Sequence, residues 1–448
     1  MGMNRNRFIR TSALAGAALT TLKARAVENA KQAERKNPDQ LNVAVIGVGA
    51  EGRILTEACL RIPGIRFKAI CDIWNYSRRY AERYLMKYGH EVQTYEDYRE
   101  LLADKEKHDL DAVIVATPDW MHAEHANACL RAGLHVYCEK EMSNDLEKAA
   151  SMVRTQRETG KVMQIGHQRR SNPRYLHAVE TLIHEVGLLG RVTHCTAQWN
   201  RAKTEDLGWP KKYVIPPDVL AKYGYETMHQ FRNWRWFKKY GGGPIVDLGS
   251  HQIDLYEWVW NVNPCSVIAS GGIDFYSTHE WYDNVLCIFE YETAQGMARG
   301  YYETLTTTSH RGFSEAFRGI DGTIEIAEVP QRGNSVMREA AAPDWDPFVE
   351  RGLLEPPTAP TIEKSATKNV MVDVRVTAEA GKWPLPIDLA KPVHQPHLEN
   401  FFNAIRYGTP LNCPAEKGYE TAVAVLNVNR AVATNRKILF APEDFVVS

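Results

Sequence analysis

Asp247 and His251 stand four residues apart in Asp247-Leu248-Gly249-Ser250-His251, the spacing that places two side chains on one face of a helix. An imidazole titrating near neutral pH is the natural base for removing a hydroxyl proton while hydride leaves the same carbon. The carboxylate beside it either orients a substrate through a second hydroxyl or raises the basicity of the imidazole. An isolated pair of this kind would be an ordinary surface contact, but here it follows Gly241-Gly242-Gly243. Lys140, in Cys138-Glu139-Lys140-Glu141, adds a cation able to stabilise developing alkoxide charge.

Hydride needs an acceptor, and the chain carries a place for one. Gly47-Val48-Gly49-Ala50-Glu51-Gly52 directly follows the apolar run Val43–Ile46 and opens a helical pattern. In that context Gly47 allows the tight turn, Gly49 a close backbone approach to a pyrophosphate, and Gly52 helix–strand packing. The helix N-terminus offers free N–H groups to phosphates. Asp72 follows Gly52 by about 20 residues, where a carboxylate accepts from the adenosine ribose hydroxyls and disfavours the 2′-phosphate of NADP. Arg78 and Arg79 lie close enough in sequence to offset that repulsion, so NAD is favoured over NADP without being fixed. Thr117-Pro118-Asp119-Trp120-Met121-His122 and Glu139-Lys140 follow two further apolar runs, and ligands of open parallel sheets bind beyond the carboxyl ends of strands.

The order of these motifs is similar to that of the family of glucose–fructose oxidoreductase, inositol dehydrogenase and MocA: glycine fingerprint, then Thr-Pro-x-x-x-His, then Glu-Lys. The resemblance spans about residues 40–440 and departs from the family's Glu-Lys-Pro at Glu141. Gly166-His167-Gln168-Arg169-Arg170 resembles the segment leaving the nucleotide domain, and Asp247–Asp254 resembles the catalytic helix. The resemblance implies that Thr117, Pro118, Trp120, His122, Glu139, Lys140 and Gln168 join Gly47, Gly49, Gly52 and Asp72 around the cofactor. It implies that His167, Arg169, Trp199, Arg235, Asp247 and His251 face the substrate, with Lys140, Asp247 and His251 catalytic. No metal is expected.

The elements that must position these residues follow from hydrophobic pattern. Short continuous apolar runs (Val43–Ile46, Phe67–Cys71, Ala112–Ala116, His135–Cys138, Val162–Ile165) alternate with helical stretches (Ser77–Lys87, Ala123–Ala132, Asp145–Thr159). That predicts an α/β, doubly wound parallel sheet of Rossmann type over 41–165, covered on both faces. Longer runs with better alternation follow at Arg191–Asn200, Ser266–Gly271, Asp283–Glu292 and Gly296–Thr304. They predict a second α/β domain, 166–448, with a large, open, mostly antiparallel sheet. The resemblance implies that this sheet often forms an interface, hence a homo-oligomer. Residues 340–390 are rich in proline and read as an irregular insertion or arm, with one strand-like run at Val370–Val376. Helices at His397–Arg406 and Gly418–Thr434 close the chain.

Trp199 to Tyr240 interleaves ten aromatic residues with Asn200, Arg201, His229, Arg232, Arg235 and lysines. Half are expected in cores, and the rest around a pocket larger than one sugar ring needs, so a glycoside as well as a free sugar. A formal net charge of −1 gives no reason to expect binding to nucleic acid or to anionic membrane. Eight cysteines without C-x-x-C spacing read as buried free thiols.

Arg5, Arg7 and Arg10, an apolar Ala13–Leu22 and Ala24-Arg25-Ala26 form an expected export signal over 1–26, followed by a polar linker, 27–40. Arg5–Arg10 resembles the twin-arginine motif, with Asn6 in place of one arginine, so the protein is expected in the periplasm, its NAD tightly held, without a membrane span. The function expected is reversible NAD(P)-dependent oxidation of a secondary hydroxyl on a sugar, polyol or glycoside. A redox-neutral NAD-dependent glycosidase or lyase and a non-catalytic NAD- and sugar-binding sensor are the alternatives.

Overall fold

The computed structural model describes residues 39–358 and 381–448. The export segment, all but the last two residues of the linker, and the Val370–Val376 run lie outside them.

Six parallel strands form the first sheet: β1 (Leu41–Ile46), β2 (Ile65–Cys71), β3 (Gln93–Tyr95), β4 (Ala112–Val115), β5 (His135–Cys138) and β6 (Met163–Ile165). Their order is β3-β2-β1-β4-β5-β6, so the sheet reverses direction of growth between β1 and β4. Every residue of β1, β4 and β5 is buried, as strands covered on both faces require. Helices Ala50–Cys59, Asn75–Lys87, Asp119–Arg131 and Leu146–Thr159 provide that cover. Ligands of such sheets bind beyond the carboxyl ends of the strands at this reversal.

Nine strands form the second sheet: β7 (Val192–Asn200), β8 (Ser266–Gly272), β9 (Asn284–Thr293), β10 (Gly296–Leu305), β11 (Phe313–Gly319), β12 (Gly322–Ile326), β13 (Asn334–Arg338), β14 (Lys382–Pro384) and β15 (Ile438–Leu439). The order is β14-β13-β12-β11-β7-β10-β9-β8-β15. All pairings are antiparallel except β7 with β10. One face packs Phe289, Tyr302 and Phe317 on helix Ser250–Trp260 and its neighbours. The other leaves Ile268, Leu286 and Ile288 exposed.

Sequence pattern alone does not reveal β11. Glu315 occupies a core position there, buried because Arg169 and the Tyr175 hydroxyl both donate to it. The proline-rich stretch is not wholly irregular either: it holds helix Asp346–Glu350 and the edge strand β14. Residues after 165 were assigned to the second domain, yet Leu398, Phe401 and Phe402 of helix Gln395–Tyr407 pack into the core of the first. Helix Ala415–Thr434 contributes to both cores.

Candidate active site

A cleft of about 900 Å³ opens at the reversal, between the two domains. Its floor is the glycine turn. Gly47 has φ +89°, and a side-chain carbon there would stand 2.5 Å from the Ala116 carbonyl oxygen. A carbon at Gly52 would meet the Gly47 oxygen at 2.0 Å, whereas one at Gly49 would meet nothing within 4 Å. Gly47 and Gly52 therefore close the turn, and Gly49 leaves its backbone open to the cleft. Helix Ala50–Cys59 begins there without a side-chain cap, so its first N–H groups remain available to an anion. These features fit a dinucleotide.

Asp72 faces the same space from the end of β2. Its Oδ2 accepts from the Val48 amide at 3.0 Å and its Oδ1 from the Trp74 amide at 2.8 Å. Burial pushes its carboxyl up against these hydrogen bonds. Arg78 donates to the Asp72 carbonyl and pairs with Glu96 at 3.4 Å, while Arg79 is exposed. Arg78 is the first cation acting on the Asp72 carboxylate, followed by Arg53, which lies 3.8 Å over the Tyr80 ring; Arg232, 4.6 Å over Trp74, also faces it.

Above Asp72 the aromatic run forms a strap from the second domain. Trp74 donates its indole N–H to the Tyr213 carbonyl at 2.6 Å, and Trp120 donates its own to the Tyr225 hydroxyl at 3.3 Å. Trp74, Ile215, Tyr225, Phe237 and Tyr240 share one apolar core. The surplus aromatics expected around a substrate thus divide. Tyr223, Tyr225 and Phe231 line the Asp72 end, and Trp199, Trp234 and Trp236 line the other.

At that other end Lys140, after β5, donates to the main-chain carbonyl of Asp247. The Asp247 carboxylate accepts from Arg235 Nε at 2.8 Å and lies 3.6 Å from Arg201 Nη1. Burial raises its carboxyl, but Arg235, Lys140 and Arg201 outweigh that and hold it well below the usual range. Asp247 belongs to a π-helical turn, Ile245–Gly249, that precedes the regular helix Ser250–Trp260 carrying His251. The Asp247 carboxylate is engaged by the two arginines, and among the described residues no hydrogen bond joins it to His251. His251 leans on Trp199, ring centroids 5.6 Å apart. Burial, then the charges of Lys140, Arg169 and His167, push its imidazole well below 6.5.

Of the expected residues, Gly47, Gly49, Asp72, Thr117, Pro118, Trp120, Glu139, Lys140, Gln168, Trp199, Arg235, Asp247 and His251 line the cleft. Gly52, which packs under Gly47, and His122, His167 and Arg169 do not. His122 is buried between the Thr117 and Glu141 carbonyls, 2.6 Å from each, tying β4 to β5. His167 lies buried with Nε2 3.9 Å from Glu141 Oε2. Arg169 is held by Glu315 and Glu328 and sits 5.6 Å from the Trp199 ring centre. These three support the wall from behind.

Three cleft residues were missed. Asp119 opens helix Asp119–Arg131 and is pushed up to about 7 by burial and then by Asp247; it sits inside the Thr-Pro-x-x-x-His stretch. Arg201 directly follows β7. His394, pairing with Glu51 at 3.2 Å, had no local signal, because its partner lies at the far end of the sequence. Burial, then the charge of Glu51, pushes neighbouring Glu139 up to about 8.

No helix among the described residues is long and apolar enough to cross a membrane. The eight cysteines are free, and seven are buried.

Residues 41–167 match the GFO/IDH/MocA oxidoreductase family, NAD-binding Rossmann fold, and residues 178–325 match the GFO/IDH/MocA C-terminal domain. The uncharacterized oxidoreductase YrbE of Bacillus subtilis (strain 168) is 30% identical over 233 residues, 52% of this chain and 57% of that protein. Inositol 2-dehydrogenase of Rubrobacter xylanophilus is 28% identical over 207 residues, 45% and 54% of the two chains. The chain thus spans about half the length of the curated relatives it matches. A levoglucosan dehydrogenase solved with NADH shares the fold, with TM-score 0.65 at 19% identity over 90% of this chain and 99% of that one. With both domains matched in order and the glycine turn, Lys140, Asp247 and His251 meeting in one cleft, this chain belongs to the GFO/IDH/MocA oxidoreductase family.

Proposed function

We propose that the protein reversibly oxidises a secondary hydroxyl of a sugar, polyol or glycoside, with NAD as hydride acceptor. One observation carries this: the buried imidazole of His251 and the side chain of Lys140 share the end of a cleft floored by a dinucleotide-type glycine turn. The names of the inositol and levoglucosan dehydrogenases support the substrate class.

NAD held on Gly47, Gly49 and Asp72 supplies the acceptor for hydride. His251 takes the hydroxyl proton as the carbon–hydrogen bond breaks, and Lys140 stabilises the charge developing on that oxygen. Trp199 gives the sugar ring a flat apolar wall. Asp247 holds Arg235 and Arg201 in place and acts as a positioning group, since its carboxylate is committed to both. Substrate turnover followed by mass spectrometry of the product tests this. A ketone two mass units lighter is the expected product, and aglycone release without net oxidation would favour the glycosidase or lyase instead.

Three further parts of the reading are proposals of the same standing. The strap supports a tightly held NAD, and the N-terminal sequence supports export to the periplasm. Exposed Ile268, Leu286 and Ile288 on the open sheet face support a homo-oligomer.

A further inference from the structure

We propose that the substrate carries a carboxylate (a uronic or aldonic acid, or a glycoside of one) and that Arg201 binds it. This rests on the oxidoreductase reading and names the substrate class of the same site.

Three cations converge on Asp247: Lys140 on its carbonyl, Arg235 on Oδ1, and Arg201 3.6 Å from Oδ2. One carboxylate cannot neutralise three cations. The other acids of this end do little to help, for Glu51 pairs with His394 at 3.2 Å. Glu328 is spent on Arg169 and Gln168. Burial keeps Asp119 and Glu139 from ionising readily, at about 7 and about 8. Glu205 is exposed to solvent at the rim, where screening weakens it. The catalytic end therefore holds surplus positive charge before any substrate arrives.

Arg201 is the cation placed to use it. Its main-chain N–H is fixed to the Leu305 carbonyl at 2.8 Å, so the residue extends the central strand of the second sheet. Its side chain is half exposed, and among the described residues its guanidinium makes an ion pair to Asp247 but no side-chain hydrogen bond. It lies 5.3 Å from the centre of the Trp199 ring, whose centroid is 5.6 Å from that of His251. A sugar ring against Trp199, its reacting hydroxyl at His251, would bring a substituent across the ring to Arg201. The planar guanidinium fork matches a carboxylate bidentately. A compact dianionic phosphate would need more donors than this single fork.

The test measures kcat/KM for matched pairs: glucose and glucuronate, galactose and galacturonate, their methyl glycosides, and the corresponding 6-phosphates. Each acid should exceed its neutral parent by about 10–100-fold, the worth of one charge-assisted bidentate contact. Arg201→Gln should collapse that ratio, and Arg201→Lys should restore part of it. A neutral parent or a 6-phosphate that outperforms the acid would overturn the proposal. So would an Arg201→Gln variant that lowers acid and parent equally, which would make Arg201 a support for Asp247 only. Absence of turnover with every member of the panel, by protein carrying NAD, would instead bring down the oxidoreductase reading, and this proposal with it.

Discussion

Lys140 and Asp247 are joined through a side chain and a backbone: the ammonium of the first donates to the main-chain carbonyl of the second. That bond crosses from the end of β5 to the turn before His251, so it links the first domain to the helix that carries His251. Removing it affects charge and domain registration together.

His251→Ala should lower turnover by about 10²–10⁴-fold with NAD binding retained, as loss of a general base does. Lys140→Met should lower turnover more than cofactor affinity. Steady-state kinetics with parallel nucleotide titration separates these effects. A folded His251→Ala enzyme with full activity would remove the imidazole from the mechanism.

Asp72 needs a gentler substitution than alanine, because its two oxygens also accept the Val48 and Trp74 amides. Asp72→Asn retains one acceptor oxygen and loses the charge. NAD should bind about tenfold more weakly, as the loss of one charged hydrogen bond implies, and the preference for NAD over NADP should narrow. Calorimetric titration of both nucleotides checks this. A wild type that prefers NADP would show that Arg78, Arg53 or Arg232 outweighs the carboxylate.

The nucleotide half of the molecule was legible because its signals are local. Continuous apolar runs of four to six residues mark strands buried on both faces, and the glycine spacing is imposed by two short approaches, at Gly47 and Gly52. The catalytic end was less so. Type and spacing pointed to Asp247 and His251, and both line the cleft, but the partners of the Asp247 carboxylate, Arg235 and Arg201, come from elsewhere in the chain. Arg201 and His394 reach the cleft only through sheet pairing and chain return, which leave no periodicity in the sequence. Likewise His167 and Arg169 carry polar side chains that pointed to a site, yet they are buried on Glu141, Glu315 and Glu328. A charge made for a buried partner and a charge made for a ligand look the same in one dimension.

Glu141, where the family has proline, makes stability depend on pH. It is buried, its Oε1 accepts from the Met142 amide at 2.8 Å, and among the described residues its Oε2 makes no hydrogen bond, with His167 Nε2 3.9 Å away. Burial pushes its carboxyl up to about 8 from 4.5. The folded state therefore holds this proton more tightly than the unfolded chain. Its contribution is fully present below pH 4.5 and is lost as pH rises to about 8. Glu141→Gln mimics the protonated form. It should melt close to wild type near pH 5 and above wild type at pH 9, by thermal denaturation across that range. A constant difference at every pH would show that Glu141 does not titrate on unfolding.

The strap gives the last expectation. Outside the cytoplasm no pool of NAD can be relied on, so an exported dehydrogenase that released NADH each cycle would stop after one turnover. A protein folded around its cofactor before export would keep it and restore it in place, with a second carbonyl substrate as oxidant. The strap supplies a means of retention: Trp74 is fixed to Tyr213, and Trp120 to Tyr225, across the Asp72 end of the cleft. Purified protein should carry NAD(H), released on heating and identified by absorbance and mass spectrometry of the supernatant. It should turn over a sugar plus a keto-sugar acceptor without added nucleotide. Trp74→Ala removes the indole that bonds Tyr213 and stacks beneath Arg232. That variant should lose nucleotide during dialysis and regain activity when NAD is supplied. Wild type that is empty on isolation and needs millimolar NAD would mean that the strap does not retain the cofactor, and would remove the support that a resident nucleotide lends to export.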